Sequence, residues 1–321
     1  MKMYRTVVAI MVLLFITSGL AFAQGDWPEP RITRPPLVAC VKGENVPCSE
    51  IVNQVSNIVG TWRGYIDGRS AIGFTVFTAD GGFGTTQNPQ TQPVITSTIR
   101  FTDELAFVAA IAGDTVPAGC VNDGVYIMRL IRIGERPVAL TRRPLIKDNC
   151  TERAEDFSEP MLYYTGTGED LPKPDASVNL MAQALVPCPA EVKTDAEAYP
   201  CDIVANQPTD FVGIWTQYLV PPLTGAAFLR FNTDSSWLLA GTPEDTTAVS
   251  TSFAIGTVGI DQAVVTFHEP NDTVECTTGT YYVHVIQWGR HPVALSYTAI
   301  KDDCALRYNA WTDPLIWIKG L

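Results

Sequence analysis

"NIVGTWRGYIDG" (residues 57–68) and "DFVGIWTQYLVP" (residues 210–221) decide how this chain is organised. Both read Val-Gly-x-Trp with a tyrosine shortly after the tryptophan, and Gly213 follows Gly60 by 153 positions. Outward from the Trp62/Trp215 pair the likeness continues. Cys48 and Cys201 each stand 14 residues before their tryptophan. Downstream, "RIGERPVALTRRPLIKDNC" (132–150) matches "QWGRHPVALSYTAIKDDC" (287–304), with Arg153 and Arg307 three residues beyond the closing cysteine. The copies end in "SEPMLYY" and "TDPLIWI". Through this core the spacing drifts only between 153 and 156 residues, so the differences are single loop residues. The chain is a tandem duplication. The first copy spans residues 40–165 and the second 188–321. Residues 166–187, rich in Gly, Pro and acidic side chains, form a linker.

Inside the first copy the apolar pattern is short and punctuated. Residues 59–66, 72–78, 94–102, 105–112, 125–133, 138–146 and 161–165 are rich in Val, Ile, Thr, Phe and Tyr. Asp-Gly and other turn residues separate them, as hairpins require. Ile72, Phe74 and Val76 alternate with Thr75 and Phe77, the period of a strand. No stretch after the N-terminus holds a helical period beyond about two turns. The fold class expected is all-β: two tandem antiparallel up-and-down barrels, in which closure removes exposed edges. Two β-sandwiches are the alternative.

Residues 1–23 read as a signal peptide. Lys2 and Arg5 precede an apolar run over 7–16, and Ala21-Phe22-Ala23 offers a cleavage site before Gln24. That run is too short to span a bilayer, which takes roughly 20 residues. The expected product is secreted or periplasmic, with an extended, proline-rich lead-in at 24–39. The net charge of −12 over 321 residues becomes −14 once Lys2 and Arg5 are removed. Such a surface opposes nucleic acid and anionic lipid, whose affinity rests on Lys and Arg. Eight cysteines and no C-x-x-C pair point to disulfides in an oxidising compartment rather than zinc. Of the three pairings open to each copy, Cys40–Cys48 with Cys120–Cys150 is favoured, then Cys188–Cys201 with Cys276–Cys304.

Gly-x-Trp at the first strand, followed by an arginine near the last, resembles the lipocalin/calycin superfamily. The matching residues are Gly60, Trp62 and Arg153, then Gly213, Trp215 and Arg307. The resemblance implies that each tryptophan closes one barrel end with the late arginine across its ring. It also implies a barrel that binds a small apolar ligand. Two departures weaken the likeness: each copy runs only about 105 residues from tryptophan to last strand, and the helix that follows a lipocalin barrel is missing.

Catalytic constellations are not legible. The first copy holds no histidine, while His268, His284 and His291 all lie in the second, so Ser-His-Asp or Cys-His chemistry has no shared plan. His268-Glu269 reads as a solvated loop pair, and Asp103-Glu104 and Asp302-Asp303 as turn residues. No catalytic residue, metal or cofactor is expected, and the ligand-binding residues stay unassigned. One asymmetry stands out. The late hairpin of the first copy carries Arg129, Arg132, Arg136, Arg142, Arg143 and Lys147 where the second has His284, Gln287, His291, Tyr297, Thr298 and Lys301. The copies have net charges near −3 and −9. Docking of Arg129, Arg132, Arg142 and Arg143 onto the acidic second copy is therefore one expectation. A solvated edge hairpin is the other. Two function classes follow: an exported, non-enzymatic barrel pair that binds an apolar ligand, or a structural or protein-interaction module with filled barrels.

Overall fold

The computed structural model of the protein describes residues 37–321 apart from 112–115, 117, 146, 167–170, 172–173, 176, 219–224, 248–253, 270–277, 303, 305–306, 308–310 and 312. The expected signal peptide, most of the lead-in and Cys276 lie outside the described residues. In the first copy the strands are β1 (Pro47–Ile51), β2 (Gly60–Ile66), β3 (Ala71–Phe77), β4 (Gly82–Thr86), β5 (Ser97–Thr102), β6 (Leu105–Ala110), β7 (Gly124–Ile133), β8 (Arg136–Pro144) and β9 (Met161–Tyr163). β2 to β9 pair antiparallel in chain order, and β9 returns to β2 at Trp62↔Tyr163 to close an eight-stranded barrel. β1 lies beside β7 as a ninth strand.

The second copy repeats this plan with β10 (Pro200–Val204), β11 (Gly213–Tyr218), β12 (Ala226–Phe231), β13 (Ser236–Ala240), β14 (Ala254–Asp261), β15 (Val264–His268), β16 (Thr278–Trp288), β17 (His291–Asp302) and β18 (Leu315–Lys319). Its closing register is Trp215↔Trp317. The fold is two closed up-and-down barrels, not two sandwiches.

Two strands of the first copy differ from the sequence reading. β4 runs through "GFGTT", where glycines mask any alternation. Gly84 is there because Val94 crosses its backbone: a Cβ would lie 2.1 Å from the Val94 carbonyl oxygen. β1 is too short and polar to show a period. A two-turn helix, Thr151–Phe157, precedes β9 and turns Arg153 and Phe157 inward.

The motif that opens each copy has a packing reason. The Trp62 indole donates to the Ile58 carbonyl at 2.8 Å and meets the Tyr163 ring edge-on at 5.1 Å. Trp215 donates to the Phe211 carbonyl at 2.9 Å and meets Trp317 at 4.8 Å. Gly60 (φ +135°) and Gly213 (φ +148°) take up a backbone that L side chains rarely adopt and leave room for those rings. A Cβ at Gly213 would sit 2.1 Å from the Trp317 ring, and one at Gly60 would sit 3.1 Å from Tyr163.

Cys40–Cys48, Cys120–Cys150 and Cys188–Cys201 are bonded as expected. Cys304 is also disulfide-bonded; its expected partner Cys276 is outside the described residues. Closing the 30-residue separation of Cys120 and Cys150 contributes roughly 3.6 kcal/mol in the loop-entropy account. That is a large share of a domain's ordinary 5–15 kcal/mol.

Substituting Gly213→Ala should destabilise the protein by about 1–3 kcal/mol, since φ and the Trp317 contact are both violated. Urea unfolding followed by tryptophan fluorescence would show it. A variant as stable as the parent would remove the role assigned to this glycine.

Candidate functional site at the junction of the barrels

Large side chains pack inside both barrels. Trp62, Phe77, Phe83, Tyr126, Met128 and Phe157 are buried inside the first. Phe211, Trp215, Phe231, Phe267, Tyr281 and Trp311 are buried inside the second. A further set of buried polar groups lies between the barrels. Ile131, Val138, Ala139 and Leu162 of the first copy share one apolar cluster with Ile286, Val293, Ala294 and Ile316 of the second. Leu185 and Val186 of the linker join it.

β7 places Arg129 on this face, 1% exposed. Its Nε donates to Asp313 Oδ1 of the second barrel at 3.2 Å, and its guanidinium lies 4.5 Å from the Tyr218 ring centroid. Arg143 of β8 reaches the other Asp313 oxygen at 3.8 Å. Arg129 and Arg143, expected on the docking hairpin, thus face the second barrel. Arg132 and Arg142 do not. Arg132 binds Glu50 at 2.8 Å and the Glu135 carbonyl within its own copy. Arg142 points into the first barrel, 4.2 Å from the Phe157 ring centroid, and donates to the carbonyls of Asp156 and Glu159. Burial pushes its guanidinium down to about 10.

A second polar group faces the junction from the other side. His284 Nδ1 is 2.7 Å from Asp202 Oδ2, and both side chains are fully buried. Its Nε2 is 3.4 Å from the Tyr65 hydroxyl of the first barrel, which also donates to the Leu180 carbonyl at 3.2 Å. Asp202 accepts from the Val186 backbone at 2.8 Å and so fixes the linker. Glu159, also buried, is 2.6 Å from Arg69 Nη2 and accepts from the Thr298 hydroxyl across the junction. Burial raises the Glu159 carboxyl, with Arg69, the Thr298 bond, His284 and Arg142 opposing. Arg63, 6% exposed, donates to the Leu185 carbonyl at 2.5 Å.

The Asp202–His284–Tyr65 line has the order of a proton relay, but burial, then Glu159 and Asp202, hold the Tyr65 phenol far above its ordinary range. A tyrosine whose phenolate is suppressed in this way is a poor nucleophile or base. The group hydrogen-bonds the two barrels to each other and to the linker. No set of three metal-ligating side chains converges among the described residues.

The late arginines occupy a different place from the one the resemblance implies. Arg153 Nε and Nη2 bind both Asp148 oxygens at 2.6 Å, and its other donors reach the carbonyls of Cys120 and Asn122. Tyr126 donates to the same carboxylate. Arg307 binds Asp302 and Glu269, and Tyr281 donates to Asp302. Each group ties the end of β8 or β17 to the disulfide turn, because Cys150 and Cys304 donate to Asp148 and Asp302 at 2.8 Å. Gly124 and Gly279 stand where a Cβ would strike Tyr126 and Arg153, or Tyr281 and Arg307. Asp302, expected at a solvated turn, is a buried anchor for Arg307. Asp103 does lie at a turn, with φ +54°. His268 and Glu269, expected as a solvated loop pair, stand instead at the end of β15 and against Arg307, and the His268 ring is 3.3 Å from the Thr278 hydroxyl.

Compared with known proteins, the chain matches no family model, no curated protein and no solved structure. No helix among the described residues is long and apolar enough to cross a membrane.

Removing one partner of a buried ion pair leaves an uncompensated charge. Asp313→Ala should therefore lower stability by roughly 3–5 kcal/mol, and adding Arg129→Met should recover most of that. Denaturant unfolding of the single and double variants checks both, and a double variant weaker than the single one would refute the pair.

Asp156, on the helix before β9, accepts from the Arg69 backbone at 3.0 Å, and burial pushes its carboxyl up to about 6. A carboxyl raised on folding from its usual value of about 4 makes stability fall as pH rises through that window, with the deficit persisting above it. Asp156→Asn keeps the acceptor and cannot ionise. Its melting temperature should exceed the parent's at pH 7–8 and converge with it near pH 4.

Proposed function

We propose that the chain is exported and acts as a non-enzymatic, disulfide-braced pair of rigid barrels that presents its outer surface to protein partners. One observation carries this: each barrel buries a cluster of large aromatic side chains in its interior. In the first barrel Phe157 meets Tyr126 at 4.8 Å. In the second, Trp311 meets Phe267 at 4.3 Å and stacks on Tyr297 at 4.9 Å. A barrel of eight strands is just wide enough for side chains to fill, and filled barrels serve as scaffolds for outer surfaces. The small apolar ligand implied by the calycin resemblance would require those rings to yield their space. The disulfides suit an oxidising destination, as does the N-terminal stretch read as a signal peptide.

Native mass spectrometry of protein purified from its own source should give the mass of the chain from Gln24 with four disulfides and nothing bound. A co-purified lipid or pigment at near-stoichiometric level would sink this reading in favour of a carrier. N-terminal sequencing of the same sample would reveal whether cleavage after Ala23 occurs.

A further inference from the structure

The contacts across the junction come in matched couples. The strand registers set the correspondence: Arg129 pairs with Thr141 as His284 pairs with Ser296, and Ile127 pairs with Arg143 as Tyr282 pairs with Thr298. Hence Arg129 corresponds to His284, and Arg143 to Thr298. Likewise Glu159 and Asp313 hold the same place in "SEPMLYY" and "TDPLIWI", and Tyr65 and Tyr218 in the opening motifs. In these terms Arg143 reaches Asp313 from the first barrel, and Thr298 reaches Glu159 from the second. Arg129 lies over Tyr218, and His284 meets Tyr65 edge-on at 6.1 Å. Residue i of one barrel touches j of the other, and j of the first touches i of the second.

That reciprocity is the signature of an isologous interface, which a two-fold axis generates. The apolar part obeys it too: Ile131/Ile286, Val138/Val293, Ala139/Ala294 and Leu162/Ile316 are corresponding pairs in one cluster. So do the lead-ins. Ser49 donates to Val38 and Asp202 to Val186, and each of those valines stands two residues before its copy's first cysteine. Arbitrary packing of two similar bodies would bring different faces together.

We infer that each barrel carries a self-complementary pairing face, and that the partner this face fits is another barrel of the same pattern. The chain holds both subunits of such a dimer and closes the face on itself. Its polar centre has diverged without breaking the pairing. The first barrel offers two permanent cations, Arg129 and Arg143, to Asp313; the second offers Thr298 to Glu159 and holds His284 between Tyr65 and Asp202, where the first has Ser49.

A two-fold face has a specific consequence: the two polar patterns are interchangeable only if exchanged together. Giving the first barrel the second's pattern (Ser49→Asp, Arg129→His, Arg143→Thr) strips Asp313 of both cations. It should lower the melting midpoint by roughly 5–10 °C. Adding the reciprocal changes (Asp202→Ser, His284→Arg, Thr298→Arg) places two arginines against Glu159 and should restore at least half of the loss. Small-angle scattering of the sixfold variant should match the parent. A sixfold variant that melts no higher than the threefold one overturns the inference, and so does a threefold variant that melts with the parent. If the threefold variant fails to fold, recovery of a folded sixfold variant still supports the inference, and failure of both overturns it.

Discussion

Everything in this protein depends on how the first strand of each copy receives the last. A meander of antiparallel strands leaves two open edges unless its ends meet, and open edges invite association with other chains. Here the ends meet around a tryptophan. Trp62 and Trp215 are buried, hold their indole N–H on a carbonyl four residues back, and take the ring of Tyr163 or Trp317 edge-on. The glycine two residues earlier lets the closing strand lie that close. Burying an indole removes on the order of 200 Å² from water. The same contact therefore supplies stability and fixes the register of the seam. Gly-x-Trp is the residue pair that this geometry demands, which is why duplication kept it twice.

Closure leaves each barrel with an outer face, and the junction shows what burying that face requires. An apolar cluster does most of the work of exclusion, yet ionisable groups remain at its rim. Taking such groups from water is costly unless each finds a partner. The opposing barrel and the linker supply those partners: Asp313 for Arg129, Thr298 for Glu159, and the Leu185 carbonyl for Arg63. Burying its half alone, the first barrel would leave Arg129 without the carboxylate that Asp313 supplies. Thus the two copies form one compact unit.

How much of this was legible follows from the range of each signal. The duplication, seven of the first copy's nine strands and the barrel closure are local or periodic, and "IVGTWRGYI" displays them openly. β4 was hidden because Gly82 and Gly84 carry no side chain to alternate. The three described disulfides are legible from spacing. Arg153 stands out in a linear reading, where nothing ranks Asp148, five residues away, as the group it binds. The Gly124/Gly279, Tyr126/Tyr281 and Asp148/Asp302 triples were present in both copies and would have revealed that anchor. The Arg129–Asp313 pair spans 184 residues and has no local signal at all.

The repeat itself still held a trace of it, in the positions where the copies disagree. Residues that close a barrel must satisfy the same geometry twice, so Gly60/Gly213, Trp62/Trp215 and Arg153/Arg307 are unchanged. Residues on the junction face each other across an axis rather than repeat an environment. A change on one barrel is then tolerated when the other barrel's partner group still accepts it. Arg143/Thr298, Arg129/His284 and Ser49/Asp202 differ for that reason, and all three pairs lie on that face. Arg142/Tyr297 marks the contrast. Both side chains point inward, and each rests against an aromatic ring, Phe157 or Trp311. There a cation and a phenol are interchangeable because each offers a flat face to the ring, at the expense of burying polar atoms in the interior. In a duplicated chain, agreement between copies therefore marks what each barrel needs for itself. Disagreement among polar residues marks where the barrels meet, or where one kind of stacking has replaced another.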